Sequence, residues 1–238
     1  NADNFGIKES SNGTGKQALL AVHPCDLSGI LLLDKVRASG AAFEDPKYKA
    51  RRNNTLIVGL NCSKAGNECF CASFGAGPDA KEGYDMLLTD PGERYLVETG
   101  SEAGKAIVAD LKLKKASTID AQEKEKRIKT VRQSIKRGIN TDGLPKLLDK
   151  NFNHEIWAKL KDDCLSCAAC TTVCPTCYCF NVVDNVDFSL KNGERVRNWD
   201  SCQLVEFGQV ALGGNFRKDR DARVKQWVYH KLNYFPQQ

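Results

Sequence analysis

Two apolar runs separated by an amphipathic segment predict parallel strands in the N-terminal part of the chain. Residues 18–23 read as a short buried strand, and a Pro-Cys-Asp turn leads from it into a helix for which Asp26 is the predicted N-cap. A second run, TLIVGLNC, ends at Cys62. Continuous apolar strands bounded by helices are typical of an α/β sheet covered on both faces. Cys25 and Cys62 then lie just past strand ends, where open α/β sheets hold their sites.

The pattern changes after these two strands. The segment YDMLLTDPGERYLVETG predicts a hairpin that is closed at residues 90–92. From Ser101 onward the periodicity is helical, and Gly138 is the predicted helix stop. Residues 110–137 contain ten Lys or Arg and four Asp or Glu, which favours a solvated helix face. A docking surface for an acidic partner is the alternative interpretation of this basic stretch.

The composition is that of a globular protein with an unusual number of thiols. The 238 residues are 41% hydrophobic and 27% charged, and eleven of them are cysteines. Disulfide scaffolds are generally short, secreted and even in cysteine number, so a metalloprotein of a reducing, cytoplasmic compartment fits better. No apolar run approaches the roughly 20 residues of a membrane helix, so no membrane span is expected.

The formal net charge of +5 is weak evidence for nucleic acid binding. That sum counts every cysteine as neutral. Thiolates that bind iron–sulfur clusters make those clusters anionic, which removes part of the positive excess. We therefore expect no nucleic acid partner.

The densest group of cysteines lies in CLSCAACTTVCPTCYCF, residues 164–180. Cys164, Cys167, Cys170 and Cys174 match the spacing C-x2-C-x2-C-x3-C-P of bacterial ferredoxins. Two-residue gaps let a tight turn bring three thiolates to one [4Fe-4S] cluster, while the fourth cysteine points to another cluster. Zinc sites usually pair two C-x2-C knuckles across a longer loop. The spacing therefore predicts [4Fe-4S] clusters, two or more.

A second group of thiols lies upstream, in LNCSKAGNECFCASFGAGP. Cys62, Cys69 and Cys71 fall within ten residues and beside glycines that allow a tight loop. We predict that they ligate a further iron–sulfur cluster, with Cys25 as the leading candidate for the fourth ligand. Buried free cysteines, which are common in protein cores, are the alternative.

Three more cysteines, Cys177, Cys179 and Cys202, are also candidates for cofactor binding. The ferredoxin run needs further ligands, and these three residues are available to supply them. Their spacing is not that of a second ferredoxin run. In a competing arrangement they complete the upstream cluster and so join two domains through shared ligands.

These segments divide the chain into three predicted parts. Residues 1–115 form an α/β domain that carries the upstream thiols, and residues 116–145 form a charged helical connector. Residues 146–238 form a mainly helical, ferredoxin-like iron–sulfur domain. The expected fold is thus an α/β domain followed by a helical iron–sulfur domain.

Five motifs occur in an order that resembles a known family. They are VHPCDLSGILLLD, LNCSKAGNECFCASFGAGP, CLSCAACTTVCPTCYCF, RVRNWDSCQ and GGNFRKDR. Together they resemble the β subunit of sulfhydrogenase-type nickel–iron hydrogenases and its relative, the A subunit of anaerobic sulfite reductase. The resemblance implies a 4Fe-4S dicluster electron-transfer subunit beside a flavin- and NAD(P)-binding subunit and a hydrogenase or reductase catalytic subunit. It also implies that this sequence is the core portion of a longer subunit.

The expected function is a relay of single electrons inside a multisubunit oxidoreductase complex of anaerobic metabolism. No acid–base or substrate-binding constellation is visible in the sequence, so no catalytic residue is predicted for this chain. One alternative is a catalytic iron–sulfur subunit that reduces a disulfide or sulfur substrate. Another is a zinc-stabilised assembly module without a redox role.

Overall fold

The computed structural model of the chain describes residues 6–8, 15–39 and 44–234. The chain divides into two compact units, and the boundary falls between Ile139 and Asn140. Each unit is described by itself below. The three-part division predicted from the sequence stays a prediction.

The first unit is built on a mixed four-stranded sheet in the order β1-β2-β3-β4. The strands are β1 (Gln17–Val22), β2 (Thr55–Leu60), β3 (Met86–Thr89) and β4 (Leu96–Thr99). The first three strands are parallel, and β4 runs antiparallel to β3. The predicted hairpin is therefore confirmed, and the parallel part of the sheet brings the ends of β1 and β2 to one edge.

The core of this sheet lies on β2 and β3 rather than on β1. Ile57 and Leu87 are each 1% exposed, and Leu27 packs into the same core at 1%. β1 is an edge strand whose residues are exposed up to Val22, and Leu20 keeps 72% of its surface. The expectation that β1 is buried and covered on both faces is wrong. An apolar run does not reveal that its strand has only one neighbour.

Four α-helices accompany the sheet in the described part of the first unit. They are α1 (Pro24–Arg37), α2 (Pro46–Asn53), α3 (Glu102–Asp110) and α4 (Thr118–Ser134). The predicted N-cap of α1 is wrong, because the helix begins at Pro24 and His23 is its N-cap. Proline suits the first helical position, since its own fixed φ is helical and no N–H is lost there. As a result Cys25 and Asp26 both lie in the first helical turn.

Helix α4 carries most of the basic stretch and is largely exposed. A capping box of Ser117 and Asp120 starts it, and Ile128 and Val131 are its two buried residues. The prediction of an exposed, basic and mostly helical segment is confirmed for this helix. The helix ends at Ser134, however, before the predicted stop at Gly138.

The second unit is mainly helical, as predicted, with one additional hairpin. Its helices are α5 (Leu144–Lys150), α6 (Ile156–Asp163), α7 (Ala169–Thr172) and α8 (Arg220–Tyr229). The antiparallel hairpin consists of β5 (Phe180–Val186) and β6 (Gly193–Trp199). A π-helical turn, His230–Tyr234, follows α8 directly.

The core of the second unit gathers around Tyr229 at the end of α8. Its ring centroid lies 5.7 Å from that of Trp157 and 5.3 Å from that of Phe152. The Tyr229 hydroxyl donates to the backbone carbonyl of Leu148. These contacts join α8 to α5 and α6. Within the described residues of the whole chain, every helix is too short or too polar to cross a membrane.

Candidate metal centre

The four upstream thiols lie together at the carboxyl edge of the sheet. Cys25 stands in the first turn of α1, after β1, and Cys62 follows the end of β2. Burial first, and then the charges of Cys25, Cys71 and Cys69, raise the pKa of Cys62 to about 11. The four thiols are therefore near enough for the charge of one to act on the pKa of another. The Cys62 sulfur is also 3.8 Å from Nδ1 of His23, which sequence reasoning did not assign to the site.

The loop that carries Cys69 and Cys71 wraps its backbone around the two sulfurs. The N–H of Gly66 donates to the Cys69 sulfur at 3.3 Å. A 3-10 turn, Cys71–Phe74, ends at Gly75 with a left-handed φ of 66°. At Gly77 a Cβ atom would stand 2.9 Å from the Cys71 sulfur, so only glycine leaves that sulfur its space. The loop thus supplies an N–H donor to one sulfur and leaves space beside another. An anionic cluster requires both from the backbone around it.

The last turn of α4 is attached to this loop. Nη1 of Arg132 donates to the carbonyl of Gly77 at 3.4 Å, and the Arg132 guanidinium also pairs with the carboxylate of Asp79. Burial raises the pKa of Cys71, and the Arg132 charge opposes that rise. A cation from the basic stretch therefore lies beside the upstream thiols, and its role there was missed when the stretch was interpreted as a solvated face.

Two further contacts fasten the segment after α4 to the same loop. Arg137 pairs with Glu68 at 2.8 Å, and the N–H of Ile139 donates to Oγ of Ser73 at 3.0 Å. Both partners belong to the loop that carries Cys69 and Cys71. Sequence reasoning missed these contacts because they join residues more than sixty positions apart.

The first three cysteines of the ferredoxin run form a group of their own. Cys164 follows the end of α6, and Ser166 and Ala168 turn the chain with left-handed φ values of 52° and 64°. The N–H of Ser166 donates to the Cys164 sulfur at 3.4 Å. Burial raises the pKa of Cys170, and the charges of Cys164 and Cys167 add to that rise. The tight turn expected from the two-residue gaps is therefore present.

Cys174 belongs to a different set of neighbours. A hydrogen bond between the thiols of Cys177 and Cys174 is the largest of the effects that together lower the pKa of Cys174 to about 4, against the opposing effect of burial. The Thr176 hydroxyl, 3.1 Å from the Cys174 sulfur, and the Lys231 ammonium contribute to the same lowering. A low pKa favours the thiolate, which is the form that binds iron.

Cys179 and Cys202 make a second close pair in the same unit. A hydrogen bond between the thiols of Cys202 and Cys179 is the largest of the effects that lower the pKa of Cys179 to about 6, although burial opposes the shift. Lys231 contributes to this lowering as well, so its charge reaches three cysteines of this region. Cys202 is 5% exposed, whereas Cys179 is half-buried.

The donor set fits iron–sulfur clusters. None of the eleven cysteines forms a disulfide, and backbone N–H groups point at two of the sulfurs. Among the described residues, no three cysteine, histidine or carboxylate side chains converge on the position of a single metal ion. Each thiolate of a [4Fe-4S] cluster binds a different iron atom, so the ligand sulfurs lie around the whole cluster and not around the position of one metal ion. Which thiols ligate which cluster stays a prediction.

The comparisons with known proteins agree with this chemistry. Residues 163–238 match the family model described as "4Fe-4S dicluster domain". The chain is 37% identical over 230 residues to "Sulfhydrogenase 2 subunit beta" of Pyrococcus furiosus. That alignment covers 94% of this chain and 66% of the relative, so the chain spans about two thirds of the relative's length. No solved structure matches the chain.

Proposed function

Because this chain belongs to the family of the sulfhydrogenase β subunit, we propose that it relays single electrons inside a multisubunit oxidoreductase. The donor and acceptor in this proposal are a flavin- and NAD(P)-binding subunit and a separate catalytic subunit. The 4Fe-4S dicluster domain implies two [4Fe-4S] clusters. A bound [4Fe-4S] cluster takes up and releases one electron, at a potential that its protein surroundings set.

The division of the C-terminal thiols into two groups carries the proposal. Cys170 interacts with Cys164 and Cys167, whereas Cys174 interacts with Cys177. This supports one cluster on the first three cysteines and a second cluster that includes Cys174. Two cofactors side by side are what a relay requires, since an electron must be able to move from one to the next.

The remaining thiols of the second unit are the candidates within this chain for completing these ligand sets. Cys177 contacts Cys174, and the pair formed by Cys179 and Cys202 is influenced by the same lysine, Lys231. All four cysteines would bind a metal as thiolates, and metal binding would release their protons.

We propose a further cluster on Cys25, Cys62, Cys69 and Cys71. Three of these thiols have raised pKa values, chiefly through burial and partly through one another's charge. Iron bound to these thiols would offset both the burial of their charge and the repulsion between them, because it replaces the protons and neutralises the charges. Cys25 also lies in the first turn of a 14-residue helix, where the helix dipole favours an anionic group.

The protein's own residues tune this relay through charge, hydrogen bonds and space. The N–H groups of Gly66 and Ser166 donate to ligand sulfurs and stabilise added negative charge. Arg132 supplies a cation beside Cys71, and Gly77 keeps the neighbouring backbone close without a side chain. Each of these groups acts on a ligand atom rather than on a substrate.

Cluster content tests the proposal directly. The full-length subunit, purified anaerobically, is analysed for iron, acid-labile sulfide and zinc, and its reduced form is examined by EPR. Three clusters predict about twelve iron atoms with equal sulfide per chain. Zinc without sulfide would overturn the proposal.

Single substitutions then assign the two C-terminal clusters. We expect Cys164→Ser and Cys174→Ser to alter different EPR signals, because the two thiols bind different clusters. Loss of the same single signal in both variants would contradict the division into two groups.

A further inference from the structure

A lysine from the C-terminal end of the described chain is bound to the cysteine loop of the second unit. Lys231 lies in the π-helical turn that follows α8. Its Nζ donates to the carbonyl oxygen of Thr176 at 3.1 Å and to the Thr176 hydroxyl at 2.7 Å. Both acceptors belong to Thr176, one of the two residues between Cys174 and Cys177. The ammonium group is therefore held against the short segment that carries both cysteines.

The hydrogen bonds have a defined direction. An ammonium group only donates, so the Thr176 oxygen accepts from Lys231; a Cys174 thiolate bound to iron carries no proton, so the Thr176 hydroxyl donates to it. The Cys174 sulfur lies 3.1 Å from that oxygen and is the available acceptor. Lys231, Thr176 and Cys174 thus form a chain in which positive charge at one end strengthens the hydrogen bond to sulfur at the other.

The position of Lys231 is maintained by buried neighbours in the same turn. Asn233 is 1% exposed and donates to the carbonyl of Pro145 at 3.1 Å and to the carboxylate of Asp149 at 2.7 Å. Tyr229, two residues before Lys231, is 2% exposed, and its hydroxyl donates a hydrogen bond to Leu148 of α5. Lys231 itself is half-buried, so water screens its charge less than that of a surface lysine.

We propose that Lys231, acting through Thr176, raises the reduction potential of the cluster that Cys174 ligates. Reduction adds negative charge to a cluster and its sulfurs, and a fixed cation with a donated hydrogen bond stabilises the reduced form. The inference rests on the proposed function, because it requires a cluster at Cys174. It assigns Lys231 and Thr176 as positioning residues that distinguish this cluster from the one on the first three cysteines.

A redox titration followed by EPR tests this inference in the full-length subunit purified with its clusters. Lys231→Met removes the charge, Thr176→Val removes the hydroxyl alone, and Lys231→Arg keeps a cation. We expect Lys231→Met to lower one midpoint potential and leave the others in place. Thr176→Val lowers the same potential by less, and Lys231→Arg stays near the wild-type value.

Lys225→Met is the matched control, because it removes the same charge from the preceding helix. Nζ of Lys225 lies 4.2 Å from the ring centroid of Phe152, away from the cysteine loop contacts described for Lys231. We expect it to leave every potential unchanged. An equal shift in Lys225→Met would overturn the inference, since the effect would then be that of overall charge.

Two further outcomes separate this inference from the proposed function. If Lys231→Met and Thr176→Val retain full iron and unchanged potentials, the tuning role is wrong while the clusters stand. If Lys231→Met loses iron, Thr176→Val decides: an unshifted potential in that variant overturns the tuning role of Lys231 and Thr176, and a lowered one supports it. A wild-type protein without a second cluster signal contradicts the proposed function itself.

Discussion

The backbone of Gly77 lies directly against the sulfur of Cys71. A Cβ atom at residue 77 would stand 2.9 Å from that sulfur and 3.6 Å from Cβ of Pro24. The loop after the 3-10 turn therefore packs on one side against the helix that carries Cys25 and on the other against Cys71. This close approach makes the space around the upstream thiols depend on a residue that is not itself a ligand.

Gly77→Ala should disrupt the upstream cluster without touching any thiol. A carbon 2.9 Å from sulfur forces Cys71 or the loop to move, and cluster ligands tolerate little displacement. We expect the purified variant to lose about four iron atoms per chain, the content of one [4Fe-4S] cluster. Gly66→Ala is the comparison, since its Cβ would lie at an ordinary 3.6 Å from the Cys69 sulfur. Equal iron in both variants would contradict the steric argument.

Arg132→Met should weaken the attachment of the same loop to the last turn of helix α4. Burial tends to raise the pKa of Asp79, but Lys81 and Arg132 hold it below its ordinary value, so the carboxylate is charged and its ion pair is formed at neutral pH. Both cations are well exposed, so we expect a loss of only about 0.5 kcal/mol in loop stability.

The measurement for Arg132→Met is the rate at which a chelator removes iron from the folded protein. We expect faster removal in this variant than in Arg127→Met, which lies on the same helix, is exposed and has no described side-chain partner. Identical rates in the two variants would show that the Arg132 contacts do not hold the loop.

The parts of the site that sequence predicts best are those set by local spacing. The turn through Cys164, Cys167 and Cys170 follows from two-residue gaps, because the thiols belong to one short stretch of backbone. Lys231 and Thr176 are 55 positions apart, and so are Arg132 and Gly77. No local pattern relates such residues, so only the fold brings their charges to the thiols.

The fold shows the same limit at the first strand and the first helix. The apolar run of β1 predicts a strand correctly, but burial depends on neighbours that the run does not encode. Asp26 is a favourable N-cap residue by type, yet the helix starts at Pro24, three positions earlier than an N-cap at Asp26 implies, because the φ of proline is already helical. Local propensity therefore located these elements and left their ends and surroundings undetermined.

Asp120→Asn should destabilise the first turn of α4 at every pH at which the iron–sulfur clusters remain intact. Hydrogen bonds from the backbone and hydroxyl of Ser117, with Arg94, lower the pKa of Asp120 to about 2 from its ordinary value of 3.8. A depressed carboxyl pKa gives stability that is complete above the ordinary value and is lost as pH falls toward the folded value. The capping contribution is therefore constant around neutral pH.

Hydrogen exchange at the first turn of α4 measures this effect. We expect faster exchange in Asp120→Asn than in wild type, by the same factor at about pH 6 and pH 8 once intrinsic rates are corrected. Glu123→Gln is the control, because Glu123 lies 3.9 Å from Arg94 but takes no part in the capping box. A factor that changes across this range would contradict the assigned pKa.

Cys69→Ser decides whether the upstream thiols are ligands or packing residues. A serine hydroxyl is close in size to a thiol, so packing changes little, but it is a far weaker ligand for iron. We expect the folded variant to lose about four iron atoms per chain while the EPR signals of the C-terminal clusters persist. Ala72→Ser is the control, since it places a hydroxyl in the 3-10 turn that follows Cys69 without removing a thiol. Unchanged iron in a folded Cys69→Ser protein would mean that these cysteines only fill the core, because a cluster that loses one of four protein ligands cannot keep its iron content and stability unaltered.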